Sequence, residues 1–212
     1  MGSVRDDATS SVSAPPTNGG RSRAAEARER LLAASLRCAV RDGSGALSLQ
    51  AIAREAAVSK ALILYHFRDK EALLAAVIRW LDARIQGRES QALSGSTATS
   101  VLEDYWRWIE GEMSRGELRT LLELSQERGE GCRGAVRESS ERRRQQAEAT
   151  ISRIFSLLEL TPRLPAAMLA SCELAFRDGL MLGASAYRHP HPERSPRVAF
   201  DVFWLSLLSL TR

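Results

Sequence analysis

Between Leu47 and Leu74 the chain sets out very short helical segments, each preceded by a residue able to cap it. Ser48 stands before Leu49–Ala56, and Ser59 stands before Lys60–Phe67. Ala57-Val58-Ser59 forms the three-residue turn between them, and Asp69 opens a further segment with Glu71 in its first turn. A serine or aspartate so placed accepts a hydrogen bond from a backbone N–H that the first helical turn leaves unpaired. Two short helices joined by a tight turn bury their apolar residues by packing across each other, which is the helix-turn-helix unit. Ile52, Val58 and Ile63 are apolar where the two helices must meet, and Ala53 is small where they approach most closely. Ser59 leaves the start of the second helix open, and its unpaired N–H groups and partial positive charge suit a phosphate.

The segments around this unit are helical as well. Ala27, Leu31, Ala34 and Cys38 recur at helical spacing over Ala24–Arg41, and Gly43 and Gly45 stop that helix. After Asp69, the residues Leu73, Leu74, Val77, Ile78, Leu81 and Ile85 form an apolar stripe. The pattern reads as loop over 87–100, then as helices near 100–114, 117–128, 134–160, 165–188 and 197–211. Gly129–Gly134 separates two of them. The expectation is an all-α chain of about nine helices. Residues 1–22 form a disordered leader, 23–70 the helix-turn-helix domain, and 71–212 a larger helical domain. Extended β-branched runs, from which a sheet would be built, are nearly absent.

Charge narrows the class of partner. Residues 21–90 hold 13 Lys/Arg against 8 Asp/Glu, whereas residues 91–212 hold 16 of each. The basic excess is therefore confined to the part of the chain that carries the short helices, as a phosphate-binding module requires. The chain has two lysines and 28 arginines, and both lysines, Lys60 and Lys70, fall in this segment. The three cysteines, Cys38, Cys132 and Cys172, have no CxxC spacing, which argues for a reducing compartment rather than a disulfide framework. The first 20 residues lack the apolar run of a signal peptide, and no apolar stretch reaches membrane-spanning length. A cytoplasmic protein is expected.

Taken together, Gly43, Ser48, Ile52-Ala53, Ala56-Ala57-Val58-Ser59, Tyr65-His66-Phe67 and Asp69-Lys70-Glu71-Ala72-Leu73 resemble the N-terminal domain of the TetR family of bacterial transcriptional regulators. The resemblance implies a DNA-binding regulator, in that family commonly a repressor released by a small-molecule effector. It implies phosphate contacts from Lys70 and from Ser48 or Ser59, and base or sugar contacts from Lys60, Ala61, Leu62, Tyr65 and His66. His66 serves packing equally well, and Lys60 and Lys70 also fit an ordinary solvated surface. Two positions depart from the family pattern. Ala57 stands where the turn has glycine, and Leu64 stands where a phosphate-contacting tyrosine is common, with Tyr65 one residue later. Which of Leu64 and Tyr65 faces DNA stays open at this point.

The same resemblance implies that the C-terminal helices dimerise the chain and enclose an effector. Ala175, Gly179, Gly183 and Ala186 form a small-residue stripe, and Phe200, Phe203, Trp204, Leu207 and Leu208 supply an apolar last helix. Two such helices from each copy would make a four-helix interface. Tyr105, Trp106, Trp108, Ile109 and Met113, with Leu121, Leu122 and Phe155, form either an apolar pocket for a hydrophobic or amphipathic effector or plain core. The expected partners are thus palindromic double-stranded DNA, a second copy and such an effector, with no cofactor, metal or membrane. His66, His189 and His191 sit in no metalloprotease or nucleophile motif, so an enzyme is not expected. A helical adaptor without DNA contact is the rival reading, and it leaves the capped short helices and the localised charge unexplained.

Overall fold

A computed structural model describes residues 18–126, 129–183 and 195–211. Among the described residues the chain is all helix: α1 Asn18–Asp42, a single 3-10 turn Ser44–Ala46, α2 Leu49–Glu55, α3 Lys60–His66, α4 Lys70–Leu93, α5 Val101–Arg115, α6 Glu117–Leu124, α7 Glu130–Leu157, α8 Ala166–Gly183 and α9 Pro196–Leu208. α1, α2, α3 and the start of α4 share one core built on Leu31, Leu32, Ile52, Ile63 and Phe67. α4 then leaves that group and packs along α7, which packs in turn on α8. The boundary expected at residues 70 and 71 falls on the first turn of α4, so one continuous helix belongs to both parts.

Five boundaries stand out against the sequence expectation. α1 starts at Asn18, inside the stretch expected to be disordered, while residues 1–17 lie outside the described residues. α4 continues to Leu93 through the stretch expected to be loop. Its buried register runs on past Ile85 to Glu89 and Leu93, and Gly87 lies on the outer side. Packing on α7 therefore overrides a propensity cost of about 1 kcal/mol for that glycine. α7 begins at Glu130, so Gly131 and Gly134 are inside a helix rather than between two. Finally, α6 closes at Leu124 and α9 at Leu208, each shorter than its apolar pattern.

The core of the larger domain is aromatic on one side and ionic on the other. The Tyr105 ring stacks on Trp108 with centroids 5.5 Å apart and meets Trp204 edge-on at 5.9 Å. Trp106 meets Phe200 at 5.2 Å, which ties α5 to α9. On α8 the buried register Leu169, Ala170, Glu173, Arg177, Leu180 and Met181 places a carboxylate and a guanidinium among apolar residues. Their partners come from α4 and α5: Arg177 Nη1 donates to Glu89 at 3.5 Å and Tyr105 Oη donates to Glu173, while Thr150 Oγ1 of α7 donates to the same Glu89 at 2.7 Å. Arg142 pairs with buried Asp82 at 2.7 Å.

Candidate nucleic-acid interface

All three capping residues do what their positions predict. Ser48 Oγ accepts from the Ala51 amide at 3.1 Å, Ser59 Oγ from the Leu62 amide at 3.2 Å, and Asp69 Oδ1 from the Ala72 amide at 2.7 Å. The last bond, with Arg68 beside it, holds the Asp69 carboxyl below the usual carboxylate range. Between α2 and α3 the chain reverses at Ala57, whose φ is +54°. Glycine adopts that backbone freely, and alanine pays about 1 kcal/mol for it. The Val58 amide returns to the Ala53 carbonyl at 2.9 Å and closes the turn.

Ile52 and Ile63 are fully buried between the two helices, with Val58 half-buried at the elbow. α1 braces the pair from behind. Arg37 Nε lies 2.7 Å and Arg41 Nη1 2.9 Å from the two oxygens of Glu55 at the end of α2. These donors hold the Glu55 carboxyl below its ordinary range. The Arg28 guanidinium lies over the Phe67 ring at 5.0 Å, tying α1 to the end of α3 as well.

With its inner face fixed, α3 presents the other. Lys60 and Ala61 are exposed, Leu62 and His66 are half-buried, and Tyr65 is 83% exposed against 43% for Leu64. Tyr65 is therefore the longer reach from the surface, and its ring rests edge-on against His66 with centroids 5.3 Å apart. Lys70 is exposed at the start of α4, and Arg54 and Arg68 are exposed beside the short helices. Arg68 is committed to Asp69 at 2.9 Å.

A helix pair with a capped, outward-facing second member and cations at its edges has the form that proteins insert into a DNA groove. Residues 31–77 match the family described as bacterial regulatory proteins, tetR family. Over that segment the chain is similar to the TetR family. Beyond the matched segment, the likeness to this family is one of fold. A transcriptional regulator from Rhodococcus sp. Rha1 superposes with a TM-score of 0.69 at 21% identity, covering 87% of this chain and 97% of that one. NalD, the secondary repressor of the MexAB-OprM multidrug efflux pump in Pseudomonas aeruginosa, gives 0.61 at 20% identity, covering 87% and 98%. SmeT, solved as a complex with triclosan, gives 0.63 at 17% identity, covering 85% and 91%. No curated protein sequence matches this chain.

In this all-helical fold the residues expected at the dimer interface divide between surface and core, and those expected at the effector pocket pack in the core. Tyr105, Trp106, Trp108, Ile109, Leu122 and Phe155 are buried and Met113 is half-buried; the rings of α5 close on one another and on α9. On α9, Phe200, Trp204 and Leu207 turn into the chain's own core, because their register faces α5 and α8. Phe203 is half-buried and stacks on Phe176 at 4.2 Å. The exposed apolar residues of α9 are instead Val198, Val202 and Leu205, the last 68% exposed. On α8, Ala175 and Gly179 are exposed and Gly183 is half-buried, beside exposed Met168 and Leu182. Ala186, His189 and His191 lie outside the described residues. Among the described residues no group of three His, Cys, Asp or Glu side chains is arranged to hold a metal ion, and no helix is long and apolar enough to cross a membrane.

Two features escaped sequence reasoning. One is Glu71, whose carboxylate reaches across to α7 and accepts from the Gly131 amide at 2.7 Å. The other is the ionic group around Arg177. Its signal was present: Glu173 and Arg177 stand four apart on the apolar face of an otherwise apolar helix, where charges are rare unless paired.

Proposed function

We infer that this chain is a sequence-specific DNA-binding transcriptional regulator that represses its target and is released by a small-molecule effector. The observation that carries the DNA reading is α3, which is held rigidly by α1 and α2 while its outer face, Lys60 to Tyr65, is left to solvent. Lys70 and the N-terminal amides of α3 and α4 supply phosphate contacts, and Tyr65 and His66 reach the base edges or sugars. Repression and effector release are supported by the likeness in fold to NalD and to the triclosan-bound SmeT.

A two-fold dimer reading a palindromic operator follows from the exposed apolar strip of α8 and α9. Met168, Ala175 and Leu182 recur every seven residues along α8, and Val198, Val202 and Leu205 recur at helical spacing along α9. Apolar side chains so arranged on two adjoining helices form the half of a four-helix interface that another copy completes. Effector binding then favours the dimer whose recognition helices no longer match the half-site spacing.

The test is fluorescence anisotropy of the full chain on its own gene's upstream DNA, with a scrambled duplex as control, across a salt series. Selective binding that weakens steeply with salt is expected. Lys70→Ala should weaken binding to all sequences and lower the salt slope by about 1, and Tyr65→Ala should erode selectivity. Equal affinity for operators selected from random DNA and for the scrambled duplex would remove the regulator reading. No binding at low salt by a folded protein would favour the adaptor.

A further inference from the structure

The outward face of α3 is apolar. Ile63 and Phe67 stand one turn apart and are buried, which fixes how the helix is turned. On the side opposite them stand Ala61, Leu62 and Tyr65, with Lys60 and Leu64 on one flank and His66 on the other. Ala61 and Tyr65 are exposed and Leu62 is half-buried, while Leu64 adds a further exposed apolar side chain. Cations accompany this face: Lys60 is exposed on α3 itself, and Arg54 and Lys70 are exposed on the helices before and after it. Apolar side chains accompanied by positive charge are complementary to a groove whose walls are phosphate and whose floor is base edges.

The residue types missing from α3 narrow what it can read. The helix contains no Arg, Asn, Gln, Asp, Glu, Ser or Thr, the side chains that recognise guanine, adenine or cytosine by hydrogen bonds to their major-groove edges. Lys60, Tyr65 and His66 are its hydrogen-bonding side chains, and Lys60 and His66 stand on the flanks. Ser59 Oγ is engaged by the Leu62 amide at 3.2 Å. Gln50 and Arg54 are exposed on α2, the helix that in this unit crosses the phosphate backbone. On the floor of the major groove the apolar group is the C5-methyl of thymine. A G·C pair covered by Leu62 would leave its O6, N7 and N4 groups out of water without a partner, which penalises that pair.

We propose that α3 reads its operator through thymine C5-methyl groups, against which Ala61, Leu62 and the Tyr65 ring pack in the major groove. Each half-site then carries A·T or T·A pairs beneath the middle of α3, and G·C is disfavoured there by desolvation. This rests on the reading of the chain as a sequence-specific DNA binder and names the chemistry of its base recognition. The cations beside α3 hold the helix in the groove without choosing a sequence.

The experiment measures anisotropy of the full chain, at fixed salt, on an operator selected from random DNA. Its thymines are replaced by uracil one at a time, which removes the methyl and keeps the base pairing and every other groove edge. At one or more thymines in each half-site the change should weaken binding about fourfold, as the loss of one buried methyl does. Combined across both half-sites, the loss should reach about tenfold or more. Leu62→Ala should lose the uracil sensitivity at one of these positions and keep its salt slope, since no charge is removed. Tyr65→Ala, at an exposed position that the core does not use, should lose it at another, and Tyr65→Phe should keep it. Selected half-sites without thymine, or a uracil duplex bound as tightly as its thymine parent, would overturn the proposal while selective binding leaves the DNA reading in place. Uracil sensitivity unchanged in both alanine variants would overturn the assignment to α3. A folded chain that binds no sequence selectively would overturn the DNA reading and this proposal with it.

Discussion

Ala57 is the residue at which the turn departs from what its backbone asks for. With φ at +54° and the side chain exposed, nothing but the backbone resists a change to glycine. Ala57→Gly should raise stability by about 0.5–1 kcal/mol, read as a shift in the urea midpoint at unchanged slope; a lower midpoint would mean that the turn is held by its side chain. Ser59→Ala, by contrast, removes the acceptor for the Leu62 amide and should cost about 1 kcal/mol by the same measurement. At Asp69 the consequence is one of pH. Its folded carboxyl lies below the unfolded value, so the stability it contributes is fully present above about pH 4 and is lost as pH falls through the folded value. Asp69→Asn should flatten the acid limb of a stability profile, and an unchanged limb would dismiss the cap as its source. These residues were legible in the sequence because capping is local: donor and acceptor are three positions apart, so residue type and spacing suffice. The ionic group around Arg177 was not, because its bonds join Thr150 to Glu89 and Arg177 to Glu89 across 61 and 88 positions, which no local pattern encodes.

At the scale of elements, the junction of α4 and α7 is the least expected feature. Glu71 caps the start of α7, and its carboxylate fills the space where a Cβ on Gly131 would stand, 2.5 Å from Oε2 and 2.8 Å from Glu71 Cβ. Gly131→Ala must therefore push α4 and α7 apart. It should destabilise the fold by about 1–3 kcal/mol in denaturant titration, and Ala at exposed Gly134, where a Cβ meets nothing, should not. The stretch from 129 to 134 looked like a separator because glycine is a poor helix former. The structure shows it to be helical, with the small residue needed for approach rather than for bending. The same reason explains α4: its length was set by Glu89 and Leu93 packing on α7, which a stripe of apolar residues ending at Ile85 could not announce. Helix identity along the chain was legible, and helix ends were legible only where a cap stood.

For the whole molecule, the division of apolar surface between core and exterior decides assembly. The register of α9 sends Phe200, Trp204 and Leu207 inward and leaves Val198, Val202 and Leu205 outside, so a sequence stripe of large aromatics pointed to the wrong side of the helix. Leu205→Glu places a charge on that exposed strip without entering the core. It should convert a micromolar dimer to monomer in sedimentation velocity while leaving the helical circular dichroism intact; a dimer that persists would move the interface away from α9. The distribution of amines over the surface has a practical corollary of another kind. Lys60 and Lys70 are the chain's only lysines, and both are exposed on the recognition side. Apart from the terminal amine, an amine-reactive dye or an amine-coupled biosensor chip thus has nowhere else to attach. Immobilised that way, the protein would be held by residues on and beside α3 and could not present them to a duplex.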